Sequence, residues 1–112
     1  MNAPRSELLT GTLDLLILKT LTHGVMHGYG ITQHIQRLSR DELRVEEGSL
    51  YPALQRMHVK GWISPEWKES PHGRRARYYR LTTLGRRQLR AEESSFHRSV
   101  AATTRVLRGV QP

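Results

Sequence analysis

The sequence has 112 residues, which is enough for one small domain with an adequate hydrophobic core. It contains 18 Lys and Arg against 10 Asp and Glu, and this net charge of +8 favours a polyanionic partner, nucleic acid before an anionic membrane surface. There are no cysteines, so disulfides and thiolate metal sites are excluded, and a reducing compartment, the cytoplasm, is expected.

The first predicted helix covers residues 11–22 and carries two apolar stripes. One stripe consists of Leu9, Leu13, Leu16 and Ile17. The other, on roughly the opposite side, consists of Leu8, Leu15 and Leu18. A helix with two apolar stripes in so short a chain needs two surfaces to pack against, so we expect the second stripe to contact a partner subunit. The apolar run, residues 8–21, is too short to span a membrane, and residues 1–7 do not resemble a signal peptide.

A second helix is predicted over residues 28–39, followed by a polar segment, residues 40–48. The expected inward positions of this helix are Tyr29, Ile31, Ile35 and Leu38. In the polar segment Leu43 and Val45 alternate with charged residues, a pattern that predicts one short edge strand.

The third helix is predicted over residues 48–60, with Ser49 as its N-cap and Gly61 at its end. This start places Pro52 in the first turn, where its missing N–H does no harm. One face is apolar and is expected to be buried: Leu50, Ala53, Leu54 and Met57. The other face is polar or small and is expected to point outward: Ser49, Pro52, Gln55 and Arg56.

Two strands are predicted at about residues 62–68 and 75–81, with a turn between them at residues 70–73. Together they form a predicted hairpin. Pro65 indicates that the first strand lies on an edge. Residues 70–91 hold seven arginines and no acidic residue. A charge run of this kind is more often a solvated face, but here the charge is greatest at the turn, and aromatic residues flank it. Strand alternation puts Arg75 and Arg77 on the face of Tyr79, with Arg74 at the tip.

The last helix is predicted from an N-cap at Thr82 to about Arg108. Its apolar residues form a nearly heptad seam: Leu89, Phe96, Val100, Thr103 and Leu107. Because this helix follows a complete small domain, the seam is expected to pack on another protomer. The expected fold class is therefore mainly α with a small β-hairpin, a winged helix-turn-helix (residues 1–82) followed by a long C-terminal dimerisation helix (residues 83–112).

Three segments in this order resemble the PadR family of bacterial transcriptional regulators: MHGYGITQHIQ (26–36), GSLYPALQRMHVKGWI (48–63) and GRRARYYRLTTLGRRQL (73–89). The resemblance implies a homodimeric winged-helix repressor that binds double-stranded DNA, and its first and last helices would form the dimer interface. The single last helix is similar to the short subgroup of the family. The resemblance also implies release from DNA by a small phenolic or hydrophobic effector.

Some short members of the family bind planar drugs between tryptophans at the dimer interface. Here Trp62 and Trp67 lie on the predicted wing strand, and the last helix carries only Phe96, so this mode of drug binding is not expected to transfer directly.

The residues expected to contact DNA are Ser49, Tyr51, Pro52, Gln55, Arg56, Arg74, Arg75 and Arg77. The residues expected at the dimer interface are Leu8, Leu15, Leu18, Leu89, Phe96, Val100 and Leu107. Tyr51 is suited to donate to a backbone phosphate, although a half-buried aromatic between helices is the alternative. Gln55 is suited to base edges, and the arginines are suited to phosphates or to a narrow groove.

Nothing in the sequence indicates an enzyme, a cofactor or a metal site. His23 and His27 are four residues apart, but Gly24 and Gly28 interrupt the helical geometry that would bring them together. An RNA- or protein-binding adaptor with the same fold remains the alternative function. Duplex DNA is favoured because the deep, narrow major groove of RNA does not admit a helix. A membrane-surface role is weaker still, because the arginines lie on a hairpin and not along an amphipathic helix.

Overall fold

In the computed structural model, residues 10–109 are described, and they form four α-helices and a small antiparallel sheet. The elements in chain order are α1 (Thr10–Thr20), β1 (Met26–His27), α2 (Gly28–Leu38), α3 (Glu47–Val59), β2 (Ile63–Glu69), β3 (Arg75–Leu81) and α4 (Thr83–Arg108). A single 3₁₀ turn, Leu21–His23, continues α1. The expected fold class, mainly helical with a hairpin and a long last helix, is confirmed. None of the helices within the described residues is long and apolar enough to span a bilayer.

The hydrophobic core is centred on α1, which packs against α2, α3 and α4. Both of its apolar stripes are used in this way: Leu13, Leu15, Ile17 and Leu18 are all buried. Leu18 has 0% of its surface exposed, so it cannot contact a partner subunit. Its assignment to a dimer interface is therefore wrong. The second stripe of α1 is not left for a partner subunit, because α4 packs on α1 within the same protomer.

The segment around α2 differs from the sequence prediction in two ways. Ile31 and Ile35 are buried as expected, but Tyr29 and Leu38 are exposed. Tyr29 lies about 160° around the helix from Ile31, and Leu38 is the last helical residue, beyond the edge of the core. The predicted strand at residues 43–45 is also wrong, since these residues are coil. The third strand of the sheet is instead β1, which pairs with β3.

Helix α3 begins earlier than predicted. Its first residue is Glu47 and its N-cap is Glu46, so Ser49 lies inside the first turn and does not cap the helix. Pro52 consequently falls in the second turn, where its missing N–H leaves the Gly48 carbonyl without the usual helical donor. The apolar face is buried as predicted, by Leu50, Ala53, Leu54 and Met57.

The sheet has the order β1-β3-β2, so β3 is its central strand and Pro65 lies on an edge strand, as predicted. Strands β2 and β3 form the wing, with Trp67 directly opposite Arg77. At the turn the backbone N–H of Gly73 donates to the Ser70 carbonyl at 2.9 Å, and Gly73 has a positive φ of 79° that favours glycine.

Helix α4 is fixed to the base of the wing at its first turn. The Thr82 hydroxyl caps the helix by accepting from the Gly85 backbone N–H at 3.0 Å, as the sequence predicted. The Thr82 backbone N–H donates to the Trp62 carbonyl at 3.1 Å. A side chain at Gly85 would overlap that same carbonyl oxygen, so only glycine allows the helix to approach so closely. After Leu89, which is buried, α4 extends away from the core, and residues 94–103 are all exposed.

Candidate nucleic-acid interface

One surface combines the outward face of α3, the start of α2 and the wing. Tyr51, Pro52 and Gln55 are exposed on α3, as predicted, and Ser49 is half-buried beside them. Because the Leu50–Met57 face of α3 is held in the core, these side chains point away from the protein. Helix α3 therefore presents an uncharged polar face, which can match the hydrogen-bond groups on base edges.

Two carboxylates give the start of this helix a negative charge. Glu46 and Glu47 are exposed at the N-terminus of α3 and oppose a phosphate there. A contact between Ser49 and phosphate stays a prediction, but it lacks the capping geometry on which it was based.

The wing arginines stack on aromatic rings along one face of the hairpin. The guanidinium of Arg75 lies 5.4 Å from the ring centroid of Trp67, and that of Arg77 lies 5.9 Å from the ring centroid of Tyr79. Stacking of this kind holds a guanidinium while leaving its N–H groups free to bind another partner. Arg74 is exposed in the turn. Within residues 10–109 no carboxylate forms an ion pair with any of these three arginines.

Arg80 shows the contrast on the other face of the wing. Its guanidinium lies 3.4 Å from a carboxylate oxygen of Glu66, so its charge is offset within the hairpin. Side chains alternate along β3 as the sequence predicts. Arg75 and Arg77 lie on one face without a carboxylate partner in the described residues, and the paired Arg80 lies on the other face.

The sequence predicts that Arg56 points outward from α3, but its side chain turns toward α1. Its guanidinium donates to Asp14 Oδ1 at 2.9 Å, and this ion pair ties α3 to α1. The Asp14 side chain is 9% exposed and that of Arg56 is 39% exposed. Burial raises the pKa of Asp14 above its ordinary value, and the charge and hydrogen bond of Arg56 act against that rise. A contact between Arg56 and DNA stays a prediction, but the Arg56 charge is already paired with a buried carboxylate.

Tyrosines and a histidine line the junction of α2, α3 and the wing. The Tyr51 hydroxyl lies so close to Gly28 that a Cβ at that position would be 3.0 Å from the oxygen. His27 caps α2, because its Nδ1 accepts from the Gly30 backbone N–H at 2.9 Å. Tyr29 is exposed beside them, and its hydroxyl accepts from Gln33 Nε2 at 3.0 Å. Tyr79 completes the junction and is almost fully buried.

Tyr29 and Tyr79 are not among the DNA contacts predicted from the sequence. Strand alternation had already placed Tyr79 on the face of Arg75 and Arg77. For Tyr29, its angular distance from Ile31 on the helix was the signal that it points outward.

The residues expected at a dimer interface fall into three groups. Leu15, Leu18 and Leu89 belong to the core of the protomer, whereas Phe96, Val100 and Leu107 are exposed on α4. Leu15 also borders a groove with Phe96, between α1 and α4. Leu8 lies outside the described residues.

Neither tryptophan lies on α4. Trp62 is half-buried before β2, with the Lys60 ammonium 4.6 Å from its ring centroid, and Trp67 is exposed on the wing. A ligand site between tryptophans of α4 is therefore absent from the described part of the chain.

The chain is similar to several known proteins. Residues 17–91 match the family described as "Transcriptional regulator PadR-like family". A transcriptional regulator from Mycobacterium tuberculosis is 36% identical over 83 residues, which are 74% of this chain and 74% of that protein. The crystal structure of a PadR-like transcriptional regulator from Bacillus cereus superimposes with a TM-score of 0.77 at 28% identity, covering 94% of this chain and 100% of that chain. A PadR family transcription regulator from Clostridium difficile R20291 gives a TM-score of 0.71 at 30% identity, covering 85% and 97%.

Proposed function

Because this chain belongs to the PadR-like family of transcriptional regulators, we propose that it is a repressor that binds an inverted-repeat DNA operator as a homodimer. Members of this family are regulators and not enzymes. The observation that carries the proposal is the position of the uncharged outer face of α3 beside wing arginines that no carboxylate within residues 10–109 neutralises. The helix is suited to base edges in the major groove, and the wing is suited to the adjacent backbone or minor groove.

The two parts of the chain have different proposed roles. Residues 1–82 bind DNA, with Tyr51, Pro52 and Gln55 on α3 and Arg74, Arg75 and Arg77 on the wing. Residues 83–112 form the dimer through Phe96, Val100 and Leu107, which are exposed on α4. An apolar seam with no cover in its own protomer supports a second copy of the chain as its partner.

Operator selection tests this proposal. A two-fold dimer places its recognition helices about 34 Å apart, so sequences selected from a random duplex pool are expected to be inverted repeats with half-sites about 10 base pairs apart, centre to centre. Selected sites without dyad symmetry, or a footprint of one half-site, contradict the dimeric mode. Preference for duplex RNA over duplex DNA in a gel-shift comparison supports the RNA-binding alternative instead.

The wing and the recognition helix are expected to contribute different kinds of contact. If each wing arginine neutralises one phosphate per protomer, Arg75→Ala or Arg77→Ala removes two phosphate contacts per dimer. The slope of log K against log salt then becomes shallower by about 1.8, and affinity falls for operator and random DNA alike. Gln55→Ala is expected to keep the slope and to lose about 1–3 kcal/mol of discrimination for each base contact removed.

A titration of each variant against operator and random duplexes at several salt concentrations measures both effects. Arg80→Ala is the matched control, because Arg80 is on the same strand but is paired with Glu66. Wing variants that keep the wild-type salt slope while losing sequence discrimination would show that the two roles are reversed.

Relief of repression by a small phenolic or hydrophobic effector is also part of the proposal. Family membership supports it, and so does the groove of about 260 Å³ between α1 and α4, which Leu15 and Phe96 border. No tryptophan lies on α4 within residues 10–109, so an effector in this groove would contact Leu15 and Phe96. The other side chains that line the groove are polar: Thr12, Glu92, Ser95 and Ser99.

A further inference from the structure

The hydroxyl of Tyr79 has no hydrogen-bond partner within the described residues, although 94% of the residue is buried. A buried phenol normally finds a partner for its O–H group. In the same part of the chain no fully enclosed side-chain oxygen lacks a partner, so the Tyr79 hydroxyl must reach solvent. It does so in a groove between the wing and the start of α2, which Tyr51 also lines.

Several other groups around this groove are hydrogen-bond donors or positive charges. The Arg77 guanidinium lies above the Tyr79 ring, and the Tyr51 hydroxyl lies against Gly28, the first residue of α2. The positive end of the α2 dipole is therefore at the same place. His72 and Arg74 approach from the turn, and the lining contains no Asp or Glu.

We propose that the Tyr79 hydroxyl, with Tyr51 and Arg77, binds one phosphate of the DNA backbone at the junction of the wing and α2. This site rests on the proposed function, since duplex DNA is the partner that supplies the phosphate. The two phenols donate hydrogen bonds and Arg77 supplies charge, an arrangement suited to a phosphate oxygen. Burial raises the pKa of Tyr79, so its phenol stays protonated and able to donate at neutral pH.

The phosphate fixes the register of the complex. Tyr79 belongs to the central strand of the sheet and its ring is packed in the core, so its hydroxyl has a defined position relative to α3. A contact made by such a rigid group holds the wing and the recognition helix at one spacing on the duplex, whereas the exposed turn arginines can adapt to many.

Tyr79→Phe tests the site, because it removes the hydroxyl and keeps the packed ring. Affinity is expected to fall about tenfold for each protomer bound, equally for operator and random DNA. The salt slope is expected to stay unchanged, since a neutral donor releases no counterion. The unfolding midpoint is expected not to fall, because the hydroxyl makes no hydrogen bond within the described residues. Tyr78→Phe is the matched control: Tyr78 is the adjacent tyrosine, is also buried and does not line this groove. The substitution keeps the ring that stacks edge-on with His27, so the affinity should equal that of the wild type.

A second measurement identifies the phosphate. Operator duplexes in which single phosphates are replaced by neutral methylphosphonates are expected to include one position per half-site that weakens the wild type more than it weakens Tyr79→Phe. The variant keeps some sensitivity there, because Arg77 and Tyr51 still contact that phosphate. If the wild type binds duplex DNA and Tyr79→Phe binds it as tightly, the site is excluded and the proposed function stands. The same conclusion follows if the effects of Tyr79→Phe and of the methylphosphonate are additive at every phosphate. If the wild type does not bind duplex DNA, the proposed function fails and the site fails with it.

Discussion

Val100→Asp on α4 is expected to convert the protein from a dimer into a monomer and to weaken operator binding by about 100-fold or more. Val100 is 45% exposed in the protomer and belongs to the seam that includes Phe96 and Leu107. A carboxylate at this position remains hydrated in the monomer, but in the dimer it would be buried in an apolar interface without a partner. Each half-site would then be bound independently, and the affinity gained by linking two DNA-binding units would be lost.

Sedimentation measures the oligomeric state, and operator titration measures the affinity. Ala102→Asp is the matched control, because residue 102 is 160° around the same helix from Val100 and is also exposed. It should leave the dimer intact. Truncation after Arg90 is expected to give a monomer or an insoluble chain, because it removes the exposed part of the seam. A stable dimer of either Val100→Asp or the truncated chain would exclude α4 as the dimerisation element.

Arg56→Met is expected to destabilise the fold by about 1–2 kcal/mol at pH 7, because it leaves the Asp14 carboxylate buried without its hydrogen-bond donor. The value lies in the lower part of the usual range because the Arg56 side chain is 39% exposed, so water can replace part of its contact.

The effect of Arg56→Met has a defined pH dependence. The pKa of Asp14 in the folded protein is above its ordinary value of 3.8, so the folded state holds a proton more tightly than the unfolded state. The contribution of Asp14 to stability is therefore largest at low pH and is lost as the pH rises through the folded pKa. Removing Arg56 removes an influence that lowers this pKa, so the difference between variant and wild type should be complete at pH 7 and should shrink as the pH falls toward 3.8.

Urea unfolding at several pH values measures this difference. Arg44→Met is the control: Arg44 is paired with Asp41 at 2.8 Å, but both side chains are exposed, so a change of less than about 0.5 kcal/mol is expected. The salt slope of DNA binding should be the same for folded Arg56→Met and for the wild type. A slope reduced as much as in Arg77→Ala would restore Arg56 to the DNA surface.

The sequence was sufficient for features that depend on local chemistry. The apolar face of α3, the glycine after it, the Pro65 edge strand and the Thr82 cap all follow from spacing or from the needs of one hydrogen bond, and the structure confirms each of them. The division of the wing arginines into two faces also follows from strand alternation.

Features that depend on distant parts of the chain were not predictable in this way. Helical spacing placed Arg56 outside, but Asp14, which is 42 residues away in the chain, draws it inward. Similarly, the two stripes of α1 indicated a partner, because nothing local shows that α4 returns to cover one of them. The strand at Met26–His27 was missed because two residues carry no periodicity, and only pairing with β3 makes them a strand.

The close contact at Gly85 has a mechanical consequence. It joins the base of the wing to the first turn of a helix of 26 residues, which is about 39 Å long. In the proposed dimer α4 then works as a lever, with the subunit contact at one end and the wing at the other. If α4 tilts by about 10° about its dimer-forming end, the end attached to the wing moves by about 7 Å. This is roughly two base-pair steps along a DNA strand. An effector bound where the protomers meet would therefore put the wings out of register without touching the DNA-binding surface.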